Sequence, residues 1–215
     1  MKSRVGLNGG GSGTSPWTGH GLGCGADEGD GAALREEALA GGERARAAFE
    51  QLWRLYYRRL LAFAATWRGL PGPEREDAVA ESLIAAFVSL ECYDPARPLA
   101  PWLYRLAANR FSDAARRAAR TSRLMPGEGM GGALAFDPPD SRPVEEGVAE
   151  RDLVERCGRA IGELSDVDRR IAVLRFYEGL GSAEIGRILG MPAGTVRWRV
   201  ARIRGAVVAK VGGFP

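Results

Sequence analysis

Residues 164–207 read LSDVDRRIAVLRFYEGLGSAEIGRILGMPAGTVRWRVARIRGAV. Two short helical patterns flank a break at Gly190-Met191-Pro192. In Ala183–Leu189 the apolar residues Ile185, Ile188 and Leu189 make a short stripe, and Ser182 suits the N-cap. Gly190 can take the positive φ that ends a helix. Pro192 falls early in the next helix, where a missing N–H does no harm. Val196, Val200, Ile203 and Val207 then recur at helical spacing and are expected to face a core. The opposite face carries Thr195, Arg197, Trp198, Arg199 and Arg202. This is the sequence form of a helix-turn-helix, whose second helix enters the major groove of DNA. Arginine can pair bidentately with guanine or contact phosphate. Arginines alone would suit a solvated basic face better; the glycine turn and the preceding short helix favour DNA. Trp198 suits either packing at the helix–turn contact or a base or sugar contact.

Working upstream, Val148–Leu164 and Asp166–Tyr177 read as helices, the latter with Ser165 as N-cap. Residues 121–150 carry Gly127, Gly129, Gly131, Gly132, Pro138, Pro139 and Pro143, the composition of a linker. Before it lie three further helical patterns. Ala47–Arg68 has Phe49, Leu52, Trp53, Tyr56, Leu60 and Phe63 at helical intervals and stops at Gly69-Leu70-Pro71-Gly72-Pro73. Glu74–Leu90 opens on acidic residues that suit a helix N-terminus. Pro101–Arg120 starts with proline in its first turn and ends in Arg116, Arg117 and Arg120. No segment has a strand-like period of two. Residues 1–42 are rich in Gly with few large apolar side chains, and are expected to form a disordered leader. The expectation is all-α: a helical domain over 43–123, a flexible acidic linker over 124–147, and a second helical domain over 148–210.

The overall net charge of +3 hides an alternation. Residues 43–123 hold fourteen basic and nine acidic side chains, and residues 151–215 twelve and seven, so each block is +5. Residues 124–150 hold one basic and six acidic side chains, and residues 1–42 three and five. Two basic blocks joined by an acidic tether suit two nucleic-acid-facing modules. Cys24, Cys92 and Cys157 are widely spaced and odd in number, no CxxC pair exists, and His20 is the single histidine. A disulfide framework or metal site is therefore not expected, and a reducing cytoplasm fits. No apolar run is long enough to span a bilayer, and with no hydrophobic run after Lys2 and Arg4 a secretory signal is not expected. With no Gly-rich phosphate loop, metal-ligand cluster or nucleophile elbow, an enzyme and a bound cofactor are not expected.

Both modules, in this order, resemble extracytoplasmic-function sigma factors of the sigma-70 family. The resemblance rests on EDAVAESLIAAF (Glu76–Phe87), PWLYRLAANRFSDAARRAAR (Pro101–Arg120) and LSDVDRRIAVLRFYEGLGSAEIGRILGMPAGTVRWRVARIR in the second module. It covers roughly 47–123 and 148–208. Trp102-Leu103, Asn109, Asp113 and Arg116-Arg117 fall at the family's spacing. The resemblance implies an RNA polymerase sigma factor that directs core polymerase to promoters and helps melt them. It assigns polymerase docking to Asp77 and Glu81. It assigns −10 contacts to Arg105, Asn109, Arg110, Arg116, Arg117 and Arg120, and −35 contacts to the helix carrying Arg197–Arg202. Trp102 is expected in the core, and Tyr104 either in the core or stacked on a base. Implied partners are core RNA polymerase, promoter DNA and a cognate anti-sigma factor. Two departures stand out: Ala80 where the family usually has Gln, and Trp198 where it often has a small residue. The alternatives are a helix-turn-helix regulator without a sigma role and, given Ala80, a sigma-like protein that does not engage polymerase.

Overall fold

The computed structural model describes residues 30–124, 156 and 158–211. Among these every regular element is helical, as expected. The first bundle comprises α1 (Asp30–Leu39), α2 (Gly42–Ala64), α3 (Gly72–Val88) and α4 (Leu99–Leu124), with a single 3₁₀ turn at Ser89–Cys92. Helix α2 buries Leu52, Tyr56, Leu60 and Phe63, one stripe at helical spacing. It stops at Ala64 and not at Arg68. The Thr66 hydroxyl donates to the Phe63 carbonyl at 2.7 Å, and the Thr66 and Trp67 amides bond three residues back. This tightening turns Trp67 and Leu70 into the core, where Trp67 meets Phe63 and Phe111 edge-on. Helix α3 starts at Gly72 with Pro73 in its first turn, two residues before the acidic run.

Part of the expected disordered leader is ordered. Residues 30–39 form α1, although its apolar residues make no stripe that a period count would find. Two tertiary contacts hold it: Leu34 is buried, and the Arg35 guanidinium donates to the Leu90 carbonyl at 3.1 Å and the Glu91 carbonyl at 3.0 Å. Gly41 and Gly42, with φ of 74° and 56°, turn the chain into α2. Residues 1–29, and the expected linker beyond Leu124 with the start of the following helix, lie outside the described residues.

The second bundle begins with a helical stretch at 158–162 (α5). Next come α6 (Asp166–Ala172), α7 (Ser182–Leu189) and α8 (Ala193–Val211). Arg169, 4% exposed, reaches back to the Gly162 carbonyl at 2.8 Å and the Leu164 carbonyl at 2.9 Å, satisfying the end of α5. Ser165 caps α6, accepting from the Asp168 amide. The helix continues past Ala172 as a wider π-type turn over Val173–Tyr177, closed by the Glu178 amide on the Val173 carbonyl. The N-cap of α7 is Gly181 and not Ser182: the Glu184 carboxylate accepts from the Gly181 amide at 2.7 Å. Gly190 adopts φ 67° and ends α7 as expected. Val196, Val200 and Ile203 are buried, with Val207 packed against them.

The bundles are in contact. Helix α4 packs across α7, and the π-type turn rests on α2. The buried apolar side chains of both bundles form one continuous core.

Candidate nucleic-acid interface

Helix α8 divides its polar face in two. Arg197 is exposed, and among the described residues it has no ion-pair partner; Trp198 is 59% exposed. Thr195 is half-buried beside them. Arg199 and Arg202 are instead drawn to Asp168 on α6. Arg199 donates to Oδ1 at 2.7 Å and Arg202 to Oδ2 at 2.5 Å, while the Ser165 hydroxyl donates to the same Oδ2 at 2.7 Å. Asp168 is 4% exposed. Burial alone would raise its pKa, but the Ser165 hydrogen bond and the two guanidinium groups hold it below the ordinary carboxylate value. Arg199 is consequently half-buried, whereas Arg202 remains half-exposed and also lies 4.8 Å from the Trp198 ring centre. Trp198 does not pack at the helix–turn contact, because its ring stands in solvent. Arg204, which the sequence reading does not single out, is exposed two positions beyond Arg202. The exposed arginines of α8 are therefore Arg197, Arg202 and Arg204.

On α4, Arg105 and Asn109 are exposed, one helical turn apart, and open onto a crevice of about 300 Å³. Ser112 and Trp67 share its wall, and Arg170, Arg187 and Gly190 of the second bundle form the other side. Arg170 lies 3.9 Å above the Trp67 ring. Tyr104, which the sequence leaves between core and base stacking, is fully buried against Phe63. Trp102 is half-buried and packs on Tyr93. Arg116, Arg117 and Arg120 lie exposed on the last turns of α4, Arg116 paired with Asp113. Arg110 is turned away from this group: it lines a shallow groove with Glu81, Ile84 and Val88 of α3. The arrangement thus offers a cationic helix on each bundle.

Two family models match the chain: Sigma-70 region 2 over residues 52–121, and Sigma-70, region 4 over residues 155–207. The RNA polymerase sigma factor CnrH of Cupriavidus metallidurans is 30% identical over 154 residues, covering 69% of this chain and 79% of its own. The ECF RNA polymerase sigma factor SigL of Mycobacterium tuberculosis is 33% identical over 175 residues, covering 79% and 87%. The chain belongs to the sigma-70 family, in its extracytoplasmic-function group. Among solved structures, that of CnrH in complex with the cytosolic domain of CnrY aligns with a TM-score of 0.53 at 24% identity, over 85% of this chain and 95% of that one. The sigma factor RpoE in complex with the anti-sigma factor NepR from Bartonella quintana aligns with a TM-score of 0.59 at 21% identity, over 76% and 96%. At that identity the two structures speak for the helical fold.

In this sigma factor the region 2 match spans most of α2 through most of α4, and the region 4 match spans α5 to most of α8. Asp77 and Glu81 stand exposed on α3, with Ala80 half-buried beside them. Their stripe continues through Ile84, 52% exposed, and Val88, 70% exposed. Apolar residues in a helix ordinarily belong to a core, and only the packing reveals these two on the outside. Glu178, an acidic residue beside Gly179, lies in no motif or spacing that marks it out. Its side chain is fully enclosed against Arg59 of α2. Among the described residues no helix is long and apolar enough to cross a membrane.

Proposed function

We propose that this sigma factor, working with core RNA polymerase in the cytoplasm and catalysing no reaction itself, divides promoter recognition between its bundles. The domain over 43–123 docks on polymerase through the α3 stripe from Asp77 and Glu81 to Val88. The same domain engages the −10 element through Arg105 and Asn109, with Arg116, Arg117 and Arg120 meeting phosphates, whereas Arg110 faces the α3 groove and belongs with the docking stripe. The domain over 148–210 reads the −35 duplex through Thr195, Arg197, Trp198 and Arg202, while Arg199 acts chiefly in orienting α8. The segment 124–147 spans the two sites. A cognate anti-sigma factor is its inhibitory partner, as CnrY and NepR are found with their sigma factors.

One observation carries this reading: each bundle presents its own exposed arginine-bearing helix, α4 on one and α8 on the other. Phosphate contacts then supply affinity, and the few base-reading side chains supply specificity. Run-off transcription tests it. Purified core polymerase plus this protein should produce a defined transcript from its promoter, and neither component alone should do so. A protein that shifts promoter DNA unaided yet yields no transcript with core enzyme would be a regulator of another kind.

A further inference from the structure

We propose that the crevice bordered by α4, α6 and α7 is a binding site for a small phosphate polyanion of the diphosphate class. Three guanidinium groups line it, each from a different helix: Arg105 from α4, Arg170 from α6 and Arg187 from α7. Among the described residues no carboxylate lines it, and none of the three arginines has an ion-pair partner. By contrast, Arg59 is met by Glu178 and Arg199 by Asp168. Arg105 and Arg187 are exposed, so water satisfies them. Arg170 is less well served. It is half-buried, and its Nε is buried with no hydrogen-bond partner among the described residues. Asp166, the carboxylate whose field reaches it, is already shared by Arg68 at 3.4 Å and Arg169 at 3.7 Å. Burial therefore pulls the pKa of Arg170 below the ordinary arginine value; Asp166 opposes the shift and Arg169 adds to it. The guanidinium stays charged all the same. An anion entering the crevice supplies what this group lacks, acceptor oxygens and opposite charge.

The chemistry of the wall selects the ligand. Guanidinium forks match phosphate oxygens two at a time. One phosphate group carries about −1.5 to −2 charge at neutral pH, short of three guanidinium charges, so two linked phosphates match better than one. The Asn109 amide, one turn from Arg105, adds a neutral donor. The end of α7 at Leu189 and Gly190 also borders the crevice. Its partial charge of about −0.5 opposes an anion, but it is small beside three whole charges. A volume of about 300 Å³ suits a small ligand and not a nucleic-acid strand. Neither bundle holds the site alone, because Arg105 and Asn109 belong to one and Arg170 and Arg187 to the other. Arg105 and Asn109 are also assigned above to the −10 element, so ligand and −10 strand compete for them, a consequence that rests on the promoter-binding reading.

Isothermal titration calorimetry of the full-length protein tests the site, at physiological salt and without divalent cations, DNA or polymerase. The probes are inorganic pyrophosphate, ADP, inorganic phosphate and sulfate. Pyrophosphate should saturate a single site below roughly 1 mM, on the order of tenfold more tightly than phosphate or sulfate. It should also raise the melting temperature, since it binds the folded chain alone. Arg105→Gln and Arg187→Gln should each weaken pyrophosphate binding by about tenfold, the loss of one charge-assisted contact. Arg117→Gln, at an exposed α4 position outside the crevice, should leave it unchanged. ADP binding as tightly as pyrophosphate would identify the diphosphate of a nucleotide as the ligand, and weaker ADP the inorganic ion. No saturation by either, or equal affinity for sulfate, would overturn the site and leave an adventitious ion only. A loss in just one of Arg105→Gln and Arg187→Gln would put the ion on a single bundle and overturn the shared crevice. Run-off transcription with core polymerase tests the promoter-binding reading separately, so the two failures are distinguishable.

Discussion

At the scale of residues, Asp168 divides the arginines of α8 into those tied to α6 and those left in solvent. Arg199 shares its carboxylate with Arg202 and is drawn towards α6, while Arg197 stays out in solvent. Arg197→Ala should therefore lose about 1–3 kcal/mol of binding that depends on the bases of the −35 element. Arg199→Ala should lose binding uniformly over promoter sequences and lower the melting temperature, because it removes a charged hydrogen bond from a buried carboxylate. Competition binding with a panel of −35 duplexes separates the two patterns. Asp168→Asn should cost about 1–3 kcal/mol at neutral pH. The sign of its pH dependence follows from the depressed pKa of Asp168. A carboxylate whose folded pKa lies below its unfolded value stabilises the fold above the unfolded pKa, near 4, and the effect is lost as pH falls through the folded pKa. The gap between wild type and Asp168→Asn should accordingly be full at pH 7 and close in acid, as read by denaturant melts across that range. None of this sharing is visible in the sequence, where five side chains on one helix face look equivalent. The helical period places them on that face; only packing against α6 ranks them.

At the scale of elements, the helix-turn-helix depends on a close backbone approach. A Cβ on Gly186 would sit 2.5 Å from the Met191 carbonyl oxygen, and the Met191 amide already bonds to the Gly186 carbonyl at 2.8 Å. Gly186→Ala should force the turn apart and cost about 1–3 kcal/mol, read as a lower melting temperature together with weaker −35 binding. Helix α3 makes a different prediction. Ile84 and Val88 are exposed, so Val88→Asp should leave the melting temperature nearly unchanged yet weaken the association with core polymerase, and Ala80→Gln should strengthen it. Equal association constants for all three proteins would take the docking role away from this stripe. The cores of α2, α4 and α8 are legible in advance because their apolar residues repeat at the helical period. The ends of α2 and α7, and the existence of α1, are not. The first two are set by local hydrogen bonds of Thr66 and Glu184, and the last by contacts of Leu34 and Arg35 with residues far along the chain.

At the scale of the whole molecule, two basic bundles acting on one polyanion should make promoter binding steeply salt-dependent. Each phosphate neutralised contributes a slope of about −0.7 to −0.9 in log K against log salt. Replacing the exposed Arg117 and Arg120 together by Ala should lower the magnitude of that slope by about 1.4 to 1.8, with no change in sequence preference. A salt titration of the holoenzyme on promoter DNA measures it, and an unaltered slope would show that neither residue meets a phosphate. The sequence by itself determined the helical class, the helix-turn-helix and the family, because these follow from periodicity, turn chemistry and motifs that are local in the chain. Tertiary structure alone decided which charges of α8 are tied to α6 and how the bundles meet. Asp168 holds Arg199 and Arg202 from more than thirty positions away, and Glu178 holds Arg59 from 119. Electrostatic pairs of that separation leave no periodic trace, since they depend on where the chain returns in space and on the exclusion of water when it does.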